Sequence, residues 1–357
     1  MSAQSQRAVG DPPEHYGDPI GEQRALAAGR ALVVLSDRDV VALEGPDRLR
    51  LLDSLTSQSL VGLAPGASAE TLLLNPSGRI EYAARVLDDG ETTWLLMDPG
   101  TGAGFAAFLD RMRFMLDVRV ADRGADLATI GTLGDAPAAT AAPNGVPLVW
   151  VDPWGTVQAG GHQYARGAHP STGWTYREAL VERARLGELA GEQLAGTLAL
   201  EALRIAAWRP RAATELDGTA IPHEFDWLRS AVHLQKGCYR GQETVAKVHN
   251  LGHPPRRLVL LHLDGSDTVL PEPGAEVRLG RPDADGPVVG RITASAWHHE
   301  LGPIALALVK RSADAASELT VDADGVLVPA AQEIIVPPDA GATAQVPRIP
   351  RLGAVPR

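Results

Sequence analysis

An α+β fold with a separate antiparallel β domain at the C-terminal end is predicted for this chain by three features of its apolar pattern. Ile80, Tyr82, Ala84 and Val86 alternate as a half-buried strand requires. Phe105, Phe108, Leu109, Met112 and Leu116 recur at helical spacing, the stripe of an amphipathic helix that covers the sheet. Beyond Pro255 the texture changes to short apolar runs between turn residues, RLVLLHL, AEVRL, PVVGRITASA, PIALALV and EIIV, the pattern of an antiparallel barrel or sandwich.

Taken in order, Ala31 to Glu44 is β-branched and apolar, and Gly45-Pro46-Asp47 then opens a helix with Leu51, Leu52 and Leu55 on one face and Pro46 at its first position. Strands are expected at Thr71 to Leu74, Ile80 to Leu87, Thr92 to Met97, Asp117 to Val120 and Leu127 to Gly131. Residues 134 to 147 form a surface loop, and two helical segments after Glu178 lead to Leu198 through Ala207. The polar, proline-containing ends, 1–24 and 337–357, are expected to be disordered tails, which leaves 25–254 as one two-lobed region and 255–336 as the C-terminal domain.

The length of 357 residues calls for more than one core, and 45% apolar with 22% charged residues is enough to fill them. No apolar run is long enough for a spanning helix and no secretory signal opens the chain, so a cytoplasmic protein without a membrane partner is expected. Cys238 is the one cysteine, which excludes an internal disulfide framework and a self-contained cysteine metal site. His298, His299 and Glu300 are metal-capable types, but neighbours on a strand point to opposite faces, and the two DADG stretches read as turns, so no metal site is assigned. A net charge of -11 repels nucleic acid, and no direct contact with it is expected. The segment from 229 to 257 departs from this, with six positive residues (Arg229, Lys236, Arg240, Lys247, Arg256, Arg257) against Glu243 alone. An anionic partner would dock there.

That segment contains KGCYRGQE, Lys236 to Glu243. Gly237 and Gly241 allow the backbone to turn tightly on either side of Cys238. Lys236 and Arg240 would favour a thiolate if their side chains converged on the sulfur. Such a cysteine is a nucleophile, a redox-sensitive group or one ligand to a metal; the alternative is a buried structural cysteine.

The octapeptide resembles the KGC[FY]xGQE signature of the YgfZ family, and on it the chain is identified as a member of that branch of the aminomethyltransferase-like folate-binding proteins. RDVVALEGPDRLRLLDSLTSQSL, Arg38 to Leu60, is similar to the N-terminal pattern shared with the glycine-cleavage T-protein, and Pro255 to about Val321 is similar to the C-terminal barrel of both. The resemblance implies a three-lobed ring with a C-terminal antiparallel β-barrel and a central tetrahydrofolate pocket, for which Arg204, Glu224 and Arg240 are the expected folate contacts. It implies Cys238 as the functional thiol, with Lys236, Gly237, Tyr239, Arg240, Gly241, Gln242 and Glu243 as its motif.

Two departures bear on activity. The T-protein pattern N-x-x-G-G-x-x-D-D is matched here by NPSGRIEYA, where Tyr82 and Ala83 stand in place of the paired aspartates, so the acid-base carboxylate of an aminomethyltransferase is missing. In LRIAAWRPR, Ala206 takes the position of a pterin-contacting glutamate. The expectation is therefore a tetrahydrofolate-binding accessory protein for assembly or repair of iron-sulfur proteins, with an effect on tRNA thiolation and with those proteins or assembly factors as partners. The alternatives are a folate-dependent one-carbon transferase and a non-catalytic scaffold with a vestigial folate cavity.

Overall fold

A computed structural model describes residues 12–282 and 286–344. One four-stranded antiparallel sheet contains β1 (Val33–Leu35), β7 (Leu127–Thr132), β8 (Val149–Val151) and β9 (Arg177–Glu182) in the order β1-β7-β9-β8. A five-stranded antiparallel sheet contains β2 (Asp39–Glu44), β3 (Ser68–Leu74), β4 (Ile80–Asp88), β5 (Thr92–Met97) and β6 (Arg119–Asp122) in the order β3-β4-β5-β2-β6. Helices α1 (Pro19–Ala27), α2 (Arg48–Leu55), α3 (Gly102–Met112), α4 (Thr197–Ala206), α5 (Ala212–Glu215), α6 (Leu228–Ala231) and α7 (Gln242–Leu251) surround them. The C-terminal strands β10 (Arg256–Leu263), β11 (Glu276–Leu279), β12 (Val288–His298), β13 (Gly302–Lys310), β14 (Leu319–Ala323) and β15 (Val326–Ile334) close into an antiparallel barrel in the order β10-β13-β12-β11-β14-β15.

Period-two patterning explains why the barrel strands are apolar on both faces. Val259 and Leu261 of β10 and Ala305, Ala307 and Val309 of β13 point into the barrel, where small side chains fill a narrow bore. Leu258, Leu260, Ile304, Leu306 and Leu308 point outward into a core shared with Trp94, Trp150, Leu180 and Leu203 of the N-terminal sheets and α4. The other face of the five-stranded sheet is covered by α2 and α3 through Leu51, Leu52, Phe105 and Leu109.

Several local expectations are corrected. Pro46 precedes the helix, whose N-cap is Asp47. Ile80 does not share a face with Tyr82: Leu73 pairs with Tyr82 and Leu74 with Ile80, so Glu81 is the extra residue of a β-bulge and Ile80 turns into the shared core while Tyr82 stacks on Phe105. The sequence patterning also passes over β8, β9 and β14.

Residues 12–24 of the expected tail 1–24 are built into the fold. Asp18 caps α1, the Gln23 amide donates to the Trp297 carbonyl at 2.7 Å and the amide nitrogen of Gly196 donates to Glu22 at 2.9 Å. These ties are hydrogen bonds rather than apolar contacts, so hydropathy patterning does not register them. At the other end, Ala340 is buried and the amide of Thr343 donates to the His249 carbonyl, so 337–344 lies against the end of α7. Residues 1–11 and 345–357 of the expected tails, and 283–285 of the first DADG stretch, lie outside the described residues. The second DADG closes the β14–β15 hairpin, with positive φ at Asp324 and Gly325 as a two-residue turn of this kind demands.

Candidate functional site

The KGCYRGQE loop is anchored at three points. The Lys236 ammonium, its side chain 3% exposed, donates to the carbonyls of Asp53, Thr56 and Gln58 at 2.5, 3.0 and 2.6 Å and lies 3.3 Å from the Asp53 carboxylate. It thus caps the C-terminal end of α2, where unpaired carbonyls concentrate negative potential. Burial pushes this ammonium below its ordinary value, and Asp53 acts in the opposite sense. The Tyr239 ring is buried beneath it, and the Gln242 amide donates back to the Lys236 carbonyl at 3.2 Å, closing the loop.

The third anchor is a backbone contact. Gly241 starts α7 at φ +84, and a Cβ there would sit 2.6 Å from the Asn75 carbonyl oxygen. Facing it, Gly78 has φ +74 and a Cβ would meet Thr244 at 2.8 Å. The β3–β4 turn and the start of α7 therefore approach as only glycines permit.

Between these anchors Cys238 is exposed, and Gly237 and Glu243 are exposed beside it. The two cations do not converge on the thiol as the sequence suggested. Lys236 is held by α2, and Arg240 pairs with Glu81 at 2.7 Å and lies over the Phe108 ring. The bulge that turns Glu81 out of register is what brings it to Arg240. Arg240, Glu81, Tyr82, Phe108 and Arg111 line an open groove of about 690 Å³ beside the loop.

The three expected folate contacts are not brought together. Arg204 lines a central cavity of about 60 Å³, Arg240 the outer groove, and Glu224 neither. Glu224 is fully buried and is clamped by both sides of the Arg256 guanidinium at 2.8 Å, which joins its segment to β10. Arg204 is itself held by Glu201 at 2.5 Å, by Glu215 and by the Arg209 carbonyl. Around the cavity Arg38 and Arg85 share Asp98 and Glu178, while Arg209 bridges Glu70 and Asp152 at 2.6 and 2.9 Å. Burial alone would raise the Glu201 carboxyl, but Arg204 and Arg211 outweigh it and hold it down to about 2. Organic ligands occupy pockets of ~300 Å³ or more. The central cavity in this arrangement therefore does not fit a pterin. The signal for this network was in the sequence, as Arg85 inside an apolar strand and Arg209 and Arg211 after an apolar helix.

Among the described residues no group of three or more histidine, cysteine, aspartate or glutamate side chains could hold a metal, and no helix is long and apolar enough to cross a membrane.

The two sheets, the helices between them and the closed barrel define an aminomethyltransferase-like α+β fold, and residues 256–335 match the glycine cleavage T-protein C-terminal barrel domain. Among solved structures, the glycine cleavage system aminomethyltransferase T of Bartonella henselae superposes with a TM-score of 0.65 over 92% of this chain and 90% of that one, at 18% identity. Among curated proteins, the chain is 24% identical to a chloroplastic protein of Arabidopsis thaliana named as a transferase, over 81% of this chain and 67% of that protein. It is also 24% identical to a mitochondrial iron-sulfur cluster assembly factor of Mycosarcoma maydis, an IBA57 homologue, over 80% of this chain and 76% of that protein.

Proposed function

We propose that this protein is an accessory factor in the assembly or repair of iron-sulfur proteins, of the YgfZ type, and that Cys238 is its working group. The observation that carries this reading is an exposed thiol on a loop anchored by Lys236, Tyr239 and Gly241. Likeness to the Mycosarcoma maydis assembly factor supports it. A cluster takes about four protein ligands and this chain contributes one cysteine, so a cluster handled here is cargo shared with a partner that supplies the other ligands. Effects on tRNA thiolation follow as the loss of an iron-sulfur client.

The test is a deletion strain complemented with wild type or Cys238→Ala and read by the activities of iron-sulfur enzymes and by thiolated tRNA bases. Wild type restores both and Cys238→Ala restores neither; full rescue by Cys238→Ala would leave a scaffold in which the thiol has no part. The name of the Arabidopsis relative favours a transferase instead. Against that, the side chains at the T-protein aspartate positions are Tyr82, stacked on Phe105, and Ala83, packed on the shared core, and neither is a carboxylate. Purified protein given a lipoyl-bound aminomethyl donor and tetrahydrofolate is expected to form no methylenetetrahydrofolate.

A further inference from the structure

The two most exposed large apolar side chains among the described residues are neighbours in the chain: Phe114 is 80% and Met115 99% exposed. One apolar side chain in water is ordinary, but an aromatic ring beside a methionine is the composition of a protein interface. The pair does not sit on a loose loop. The Arg113 guanidinium donates to Asp110 at 2.9 Å and to the Val118 carbonyl at 3.3 Å, and the Leu116 amide donates to the Arg113 carbonyl at 2.8 Å, so the turn after α3 is closed on both sides of the pair. Phe114 has φ +44, a left-handed conformation that a bulky side chain rarely adopts. The fold tolerates that strain to hold in water a ring that adds almost nothing to the core, and strain kept at such a position points to binding.

The pair extends the groove beside the Cys238 loop. Phe108 and Arg111 of α3 line that groove, and Phe114 follows Arg111 by less than a helical turn. Arg240, on the same lining, is two residues from the exposed thiol. The local charge is opposite to that of the molecule. Arg113 and Arg240 are matched by Asp110 and Glu81. Arg111 and Arg79, the latter on the turn whose Asn75 lines the groove, are exposed and have no carboxylate partner among the described residues. Resting on the reading of Cys238 given above, we propose that this face docks an acidic, partly apolar segment of the iron-sulfur partner. Its apolar side chains lie on Phe114 and Met115, its carboxylates meet Arg111 and Arg79, and its cluster ligands are thereby brought to Cys238. On a chain of net charge -11 most of the surface repels such a segment, so its encounter is steered to the unmatched arginines. A methionine, unbranched and polarisable, fits an irregular partner surface. A second copy of this chain is disfavoured, because a two-fold contact through this face would bring the unmatched arginines of both copies together.

In the experiment the full chain, as the sole copy in a deletion strain, carries the photo-crosslinker p-benzoylphenylalanine in place of Ala107. That residue is exposed on α3, three positions from Gly104 and four from Arg111, both on the groove. Illumination is expected to cross-link an iron-sulfur protein or assembly factor, and the attached peptide, sequenced by mass spectrometry, should carry net negative charge. Arg111→Glu should lower the yield about tenfold or more, and Arg111→Lys, which keeps the charge, by much less. Phe114→Asn with Met115→Ser removes the apolar pair and puts at φ +44 a residue that tolerates it. This double variant should match the urea midpoint of wild type yet lose both the cross-link and the rescue of iron-sulfur enzymes; if it is destabilised, Arg111→Glu at its exposed helix position decides instead. Cross-links to a second copy of this chain or to a peptide without acidic character, no cross-link at all, or full rescue by a stable double variant would each overturn the proposal. Loss of rescue in Cys238→Ala with full rescue by the double variant would keep the thiol and remove the face. Full rescue by Cys238→Ala with the cross-link intact would keep the face and remove the thiol.

Discussion

Lys236 holds the Cys238 loop by satisfying three carbonyls at the end of α2, a role that depends on its length as much as on its charge. Lys236→Met leaves those carbonyls without a donor and should destabilise the protein by about 1–3 kcal/mol in urea unfolding. Because the ammonium is directed to α2 and not to the sulfur, iodoacetamide labelling of Cys238 should not slow in this variant; loosening of the loop should leave it unchanged or faster. A clear slowing would show that the charge acts on the thiol. Glu81 and Arg240 form a pair of side chains each about a third exposed. Water and salt screen such a pair, so Glu81→Gln should shift stability by less than about 1 kcal/mol, measured as the urea midpoint at low and high salt.

At the scale of the element, α7 carries the loop at its first turn and a group of imidazoles near its end. Gly241→Ala would place a methyl at φ +84 and 2.6 Å from the Asn75 oxygen, so it should cost at least about 2 kcal/mol and expose α7 amides to hydrogen exchange. Gly237→Ala, with nothing within 4 Å, should be close to neutral. A large loss from Gly237→Ala, or none from Gly241→Ala, would contradict this account of the anchor. His223 Nε2 donates to the Val245 carbonyl at 3.1 Å, His249 contacts the Tyr164 hydroxyl at 2.9 Å, and the His162 ring lies 4.6 Å from that of His249. Burial pushes His223 down to about 3, burial and then His162 push His249 down to about 4, and burial also lowers His162. In the unfolded chain these rings titrate near ~6.5. Above that pH neither state is protonated; between it and about 4 the unfolded chain takes protons that the folded one refuses, so stability is lost on acidification. Asp226, raised by burial to about 7, opposes this with one proton taken up by the folded state, against three imidazoles. Urea midpoints should therefore fall from neutral pH toward about pH 4.5, and the slope should be shallower in His249→Gln.

Over the whole molecule, the core that joins both N-terminal sheets, α4 and the outer face of the barrel is continuous, and the arginine-carboxylate network lies inside it. Arg209→Met would leave Glu70 and Asp152 buried without their cation, at a cost of about 3–5 kcal/mol in urea unfolding. Tryptophan fluorescence and far-UV circular dichroism should report one coincident transition, because Trp94, Trp150, Trp154, Trp174, Trp208 and Trp227 all belong to that core. What the sequence by itself determined was the order of the marked elements, from Thr92–Met97 of β5, expected to the residue, to the short apolar runs between turn residues that form β10 and β13 of the barrel. It also determined where the thiol lies in the chain, since the glycines and the lysine around Cys238 are local features. Only the tertiary structure decided what those residues touch. Lys236 turns to α2, a bulge of one residue delivers Glu81 to Arg240, and arginines distant along the chain enclose a cavity too small for a pterin. Periodicity records which face a side chain is on, whereas the partner of a charge depends on which other element packs there, and that is a property of the assembled core.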